Sequence, residues 1–226
     1  MSRRITRLAA VSAVVLVLGG IGGAPALASG PDLTSQGFPT DDQVCTVIAQ
    51  PTPAGQDIAL TPAPTTACFD TLGEALESVS GEPVTDPRVL AGDITALRGY
   101  ANEQAAKAAA APQAARAGTV TTAAASSMML GIAYKNTNQT GGAKVFYGSS
   151  GYGCMTGNTY GFPKMSTYLM NNNISSMATY ARCWSTLYDG ENYSGTTTNC
   201  VPLCTSLGSM NDRTSSIVFR PEGNIG

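Results

Sequence analysis

Apolar and polar positions divide the chain into three textures. At the start, Arg3, Arg4 and Arg7 precede an apolar run from Leu8 to Gly23 and the small residues Ala26-Leu27-Ala28. A basic start, a short apolar core and a small-residue cleavage position read as a signal peptide over 1–28. The alternative, a membrane anchor, needs ~20 apolar residues, and the uninterrupted core is shorter than that. No cysteine stands at the cleavage position to carry a lipid. The chain is therefore expected to be secreted and extracellular.

The second texture is mixed. Residues 29–44 are polar with Pro and Gly, Val44 to Ala49 alternates as a short strand, and the Pro and Thr cluster from Pro51 to Thr66 reads as a loop. Thr71-Leu72-Gly73-Glu74 has the form of a capping box and predicts a helix through about Val79, because the Thr hydroxyl and the Glu carboxylate satisfy orphan amides reciprocally. Val89, Leu90, Ile94, Leu97 and Tyr100 mark a second helix from about Pro87 to Ala111, which Pro112 stops. Gln113 to Ser127 has little to bury and reads as a tether. The expectation is a small disulfide-linked α+β unit over 29–100 and an Ala-rich helix and linker over 101–127.

From Met128 onward, aromatic and β-branched segments alternate with Gly and Asn turns, the pattern of an all-β domain over 128–226. Strands are predicted at Met129–Lys135, Lys144–Tyr147, Ser176–Tyr180, Trp184–Tyr188 and Ser216–Phe219. Two six-residue segments within this region share one pattern, (N/D)(N/D)xx(S/T)S. They are Asn171-Asn172-Asn173-Ile174-Ser175-Ser176 and Asn211-Asp212-Arg213-Thr214-Ser215-Ser216. Upstream of the second, Tyr188 to Gly195 places an aromatic, four residues, an aromatic, one residue and Gly. Tyr147 to Cys154 is similar, with its Gly one place early and Cys154 where Gly is expected. A period near forty implies two copies of one supersecondary unit.

On these residues, 128–220 resembles a βγ-crystallin domain, two Greek-key motifs each with a calcium-binding signature. The resemblance implies a double Greek-key sandwich of eight strands in two sheets. It also implies that the two oxygen-rich loops face each other, so that each ion draws on both. A backbone carbonyl per ion would come from the aromatic hairpins, near Ser150 and Glu191.

The segments hold hard oxygen donors and no soft ligand, which suits Ca²⁺ with its six to eight oxygens. Asn172 and Asp212 offer side-chain oxygens, Asn173 and Arg213 backbone carbonyls, and Ser175 and Ser215 hydroxyls. Asp212 is the one carboxylate among the motif side chains, so weak sites are expected, in the ~10⁻⁵ to 10⁻³ M range. The competing reading is a pair of ordinary Asx and ST turns. Tyr188, Tyr193 and Trp184 are read as packing residues.

Net charge of −2 with 12% charged residues leaves no basic patch for nucleic acid and no polybasic stretch for a membrane, and a monomer is expected. The chain has no histidine, which removes the usual general base and nucleophile activator, and it is read as a non-enzyme. Six cysteines in an exported chain predict disulfides, with Cys45 paired to Cys68 and three pairings open among Cys154, Cys183, Cys200 and Cys204. A four-thiolate zinc site is the alternative for the last four.

A second function class starts from Cys200-Val201-Pro202-Leu203-Cys204. It resembles the reactive loop of the secreted actinobacterial metalloproteinase inhibitors, peptidase inhibitor family I36, which share the Greek-key fold and whose reactive bond lies at a Cys-Val pair. A secreted metalloprotease would then be the partner. A short, disulfide-closed, Pro-containing loop loses little entropy on binding. The loop here is one residue shorter than that family's pattern. A third class is an envelope-associated module whose N-terminal unit docks on a surface partner.

Overall fold

The structure, a computed structural model, describes residues 43–110, 127–149 and 153–224. Residues 1–28, read above as a signal peptide, residues 111–126 of the Ala-rich segment, and Ser150 all lie outside these. Residues from Gly37 to Gly226 cluster as one unit.

Among the described residues, ten strands form two sheets. β1 (Val44–Ala49) and β2 (Thr65–Phe69) make an antiparallel hairpin, with Cys45 directly opposite Cys68 and bonded to it. α1 (Leu72–Ser80) opens on the predicted capping box, Thr71 accepting from the Glu74 amide while the Glu74 carboxylate accepts from the Thr71 amide. The long second helix is broken in two, α2 (Pro87–Leu90) and α3 (Ile94–Ala110). Gly92 takes a left-handed φ of 75° there, and Asp93 restarts the helix by accepting from the Ala96 amide at 2.7 Å.

The remaining eight strands are β3 (Met128–Asn136), β4 (Thr140–Gly148), β5 (Tyr160–Phe162), β6 (Ser176–Thr179), β7 (Cys183–Gly190), β8 (Ser194–Cys200), β9 (Leu203–Cys204) and β10 (Ser216–Pro221). The first sheet runs β2-β1-β4-β3-β6-β9 and the second β5-β10-β7-β8. The third strand of each group of four, β5 and β9, joins the sheet built by the other group. That exchange makes β3–β6 and β7–β10 two interlocked Greek keys, an all-β sandwich.

Between the sheets lies an apolar layer in which Phe146 packs edge-on against Phe162, their centroids 4.7 Å apart, and Phe219 packs against both. A second apolar layer lies on the far side of the first sheet. There Leu76, Val79, Val89, Leu97 and Ala101 of the helices meet Met129, Ile132, Tyr134, Val145, Tyr147 and Tyr180. The hairpin extends the same sheet, β1 running parallel to β4 from Val44 beside Ala143 to Ala49 beside Gly148. Residues 43–110 thus share a sheet and a core with the Greek-key strands β3–β10.

Cys154 pairs with Cys183 and Cys200 with Cys204, so all six cysteines are in disulfides, as an oxidising compartment allows. The first of these pins the β4–β5 connection to the start of β7. No described helix is long and apolar enough to cross a membrane. Trp184, read from sequence as core, is half-buried on the outer face of the second sheet, beside Arg220 across the ladder.

Candidate metal centre

The two oxygen-rich segments lie at one end of the sandwich, each leading directly into a strand, Ser176 opening β6 and Ser216 opening β10. They face each other, and their contacts repeat under a two-fold relation. The Asn172 amide donates to the Thr214 carbonyl at 3.1 Å, and the Asp212 amide to the Ile174 carbonyl at 3.0 Å. The Ser215 hydroxyl donates to Asn172 Oδ1 at 3.4 Å, and the Ser175 hydroxyl to Asp212 Oδ1 at 2.9 Å. Asn172 and Asp212 hold φ of 54° and 53°, a left-handed conformation that Asn and Asp tolerate better than other side chains. Position two of each loop is therefore restricted by its backbone as well as by its oxygen.

The final serine of each segment ties the loop to a hairpin. Ser216 Oγ accepts from the Tyr193 amide at 3.0 Å and donates to the Gly190 carbonyl at 2.7 Å. Ser176 Oγ accepts from the Gln139 amide at 3.0 Å and donates to the Asn136 carbonyl at 2.5 Å. The amides of the preceding serines repeat the relation, Ser215 donating to the Tyr188 carbonyl and Ser175 to the Tyr134 carbonyl.

These bonds identify the structural counterpart of Tyr188–Gly195 as Tyr134–Gly141, in the β3–β4 turn. The match to Tyr147–Cys154 is thereby corrected. Backbone angles agree with the new pairing: Asn138, Gln139 and Gly141 have φ of 57°, 57° and 76°, against 53°, 61° and 86° at Asn192, Tyr193 and Gly195. Gln139 stands where the second aromatic would be. By hairpin position, the counterpart of Glu191 is Thr137; their carbonyls accept from Ser194 Oγ at 2.7 Å and Thr140 Oγ1 at 2.9 Å.

Two centres result. One groups Asn172, Ser215 and the Glu191 hairpin; the other groups Asp212, Ser175 and the Thr137 hairpin. Among the described residues no three His, Cys, Asp or Glu side chains cluster as a metal site. The donors are thus amide, hydroxyl and carbonyl oxygens with Asp212 as the carboxylate, a set matched to a hard cation. Two buried oxygens beside the first centre, Asn171 Oδ1 and Thr214 Oγ1, lack any hydrogen-bond partner. Buried polar atoms of this kind call for an ion or water. In the second loop the counterpart Asn211 Oδ1 is used, accepting from the Leu207 amide at 2.8 Å.

The charged groups sit at the rim. Arg213 Nη2 bonds Asp189 Oδ2 at 2.7 Å, so the side chain of Arg213 leans on the β7–β8 hairpin. The Glu191 carboxylate receives Ser166 Oγ at 3.0 Å and lies 3.4 Å from Lys164 Nζ. Tyr188 and Tyr193 pack edge-on at 6.1 Å, both half-buried.

The Cys200–Cys204 loop is closed by its disulfide and held by Thr179, whose amide and hydroxyl both donate to the Pro202 carbonyl, at 2.7 and 3.2 Å. Val201 and Leu203 are 37% and 39% exposed on it.

No family model matches the chain, and no curated protein matches it. Solved structures similar to it include βγ-crystallin domains. One from Flavobacterium johnsoniae is 25% identical over 42% of this chain and 98% of that one, with a TM-score of 0.32. One from Clostridium beijerinckii is 16% identical over 40% of this chain and 97% of that one, with a TM-score of 0.31. A βγ-crystallin from Ciona intestinalis is 18% identical over 38% of this chain and 94% of that one, with a TM-score of 0.30.

Proposed function

We propose that the protein is a secreted, non-enzymatic calcium-binding module of βγ-crystallin type. The observation that carries this is the two-fold pairing of Asn172 with Ser215 and of Asp212 with Ser175. Four side-chain oxygens from two loops are brought together in pairs, each beside a hairpin carbonyl. A lone Asx turn does not require a second loop to face it.

In this reading Asn172, Asn173, Ser215 and the Glu191 carbonyl hold one ion, and Asp212, Arg213 (through its carbonyl), Ser175 and the Thr137 carbonyl hold the other. A bound Ca²⁺ supplies charge that ties loop to loop and adds RT ln(1 + [L]/Kd) to stability, about 2.7 kcal/mol at a hundredfold excess over Kd. The test is calorimetric titration of the secreted chain with CaCl₂ after chelator treatment, with melts at both end points. Heat, with a raised melting temperature that Asp212→Asn reduces, supports the reading. No heat and no shift refute it.

A second reading, inhibition of a secreted metalloprotease, is favoured by the closed, doubly tethered loop with Val201 and Leu203 exposed. Such a loop loses little freedom on docking. Assay against a panel of secreted metalloproteases decides it: inhibition that Val201→Gly with Leu203→Gly abolishes supports it, and no inhibition by the parent chain removes it. The two readings rest on different residues and do not compete.

A further inference from the structure

The two-fold relation makes the differences between the two centres legible. The Asp212–Ser175 centre has a carboxylate of its own. Its hairpin, Lys135 to Gln139, carries no acid. The Asn172–Ser215 centre has only an amide and a hydroxyl in its facing pair, but its hairpin carries Asp189 and Glu191. Both acids are held by cations of the protein itself, Asp189 by Arg213 at 2.7 Å and Glu191 by Lys164 at 3.4 Å.

Glu191 is the acid placed to serve. Its backbone carbonyl lies in the hairpin that Ser216 anchors, and its carboxylate is bonded to Ser166. The neighbour of Ser166, Met165, donates its amide to the carbonyl of Ser215 at 2.8 Å, a member of the facing pair. Lys164, which ends this same short connection, is half-exposed, as is the Glu191 side chain. Among the described residues the Lys164 ammonium is held to Glu191 by this ion pair, and an exposed pair of this kind is weak.

We propose that Glu191 supplies the negative charge of the Asn172–Ser215 centre and that Lys164 is a built-in competitor for it. Divalent cations then fill the Asp212–Ser175 centre first. The Asn172–Ser215 centre fills at higher concentration, as Lys164 is displaced from the carboxylate. The inference rests on the reading of the facing loops as cation sites and adds an order of filling and a regulating residue. Charge count is what sets affinity among oxygen sites, so a masked carboxylate lowers affinity without altering the loop.

Titration calorimetry with CaCl₂ on the parent and on Lys164→Ala, Lys164→Gln, Glu191→Gln and Asp212→Asn tests it, with a melt in chelator to compare the folds. The parent is expected to bind in two steps. Both Lys164 variants should tighten the weaker step by about two- to fivefold, the range an exposed ion pair commands, and leave the tighter step alone. Glu191→Gln should weaken or erase the weaker step, and Asp212→Asn the tighter one. If the parent binds in two steps and neither the Lys164 variants nor Glu191→Gln moves the weaker one, the competitor role is overturned while the calcium reading stands. Absence of any binding by the parent overturns both.

Discussion

Lys144 is a costly residue in the fold, and replacing it should stabilise the protein. It lies on β4 between Cys45 of β1 and Ala133 of β3, is 0% exposed, and its Nζ has no hydrogen-bond partner. Burial alone pushes its ammonium from the usual 10.5 down to about 7. The folded state therefore binds fewer protons than the unfolded chain between about pH 7 and 10.5, and stability rises with pH through that window. Below pH 7 both states are protonated and the penalty levels off. At pH 7 the displacement corresponds to about 4 kcal/mol, falling to about 1.5 kcal/mol at pH 9.5. Lys144→Met keeps length and apolar stem while removing the charge. Chemical denaturation of both proteins at pH 6.5, 8 and 9.5 is the assay. The parent should gain about 3 kcal/mol across the series, and the variant should be the more stable at pH 7 by a similar amount, the two converging as pH rises. A flat parent curve, or a Met variant no more stable at pH 7, would refute the reasoning, since it would mean that the amine is solvated in the fold.

Tyr147→Phe should leave stability unchanged or raise it by up to about 1 kcal/mol, because the Tyr147 hydroxyl is buried without a partner; a loss above that in thermal melts would show that the hydroxyl is bonded. Gly195→Ala should cost about 1–3 kcal/mol, read by denaturant melts: φ is 86° and the new methyl would meet the Asp189 carboxylate that accepts from the Thr196 amide. Phe146→Ala, which empties the middle of the aromatic layer, should cost about 3–5 kcal/mol in the same assay.

The legible parts of the sequence were those with local rules. The Thr71 capping box, the Val44–Ala49 strand and the Cys45–Cys68 bridge depend on neighbours a few residues away or on a short hairpin, and the structure has each as read. The two (N/D)(N/D)xx(S/T)S segments were legible for the same reason, and the structure sets them face to face. The first hairpin was misplaced because repeat spacing misled. Tyr134 stands 37 residues before Asn171, against 23 from Tyr188 to Asn211, since the stretch between β4 and β5 lengthens the first motif. Gln139 in place of the second aromatic hid the remaining signal, and Tyr147 happened to stand at the distance the second motif suggested. Tyr134 with Gly141 seven residues on was the clue available. The break at Gly92-Asp93 was also written locally, as Gly followed by an N-cap residue, but the apolar stripe across it suggested continuity. Short strands such as β9, two residues long, exist only because β6 offers them a partner, and no local pattern announces them.

The outer faces of the two sheets explain why the N-terminal segment packs where it does. The second sheet presents Thr186, Tyr188, Thr197, Asn199 and Arg220 on its outer face, with Thr186 bonded to Asn199 and Arg220 to Tyr188. These pairs make it the more polar of the two outer faces. The first sheet presents Met129, Ile132, Tyr134, Val145, Tyr147 and Tyr180, an apolar surface larger than a soluble sandwich leaves bare. β4 would also be an open edge without β1, a template for unwanted pairing. The hairpin closes that edge and the helices cover that face, so the segment completes the fold. Its cover is imperfect, because the hydroxyls of Tyr134, Tyr147 and Tyr180 are buried under it without partners. A fragment of residues 128–226 should consequently bind a hydrophobic dye and self-associate, whereas the full chain should do neither. If the fragment stays monomeric and dye-free, the helical layer is dispensable and its role lies elsewhere than in covering the sheet.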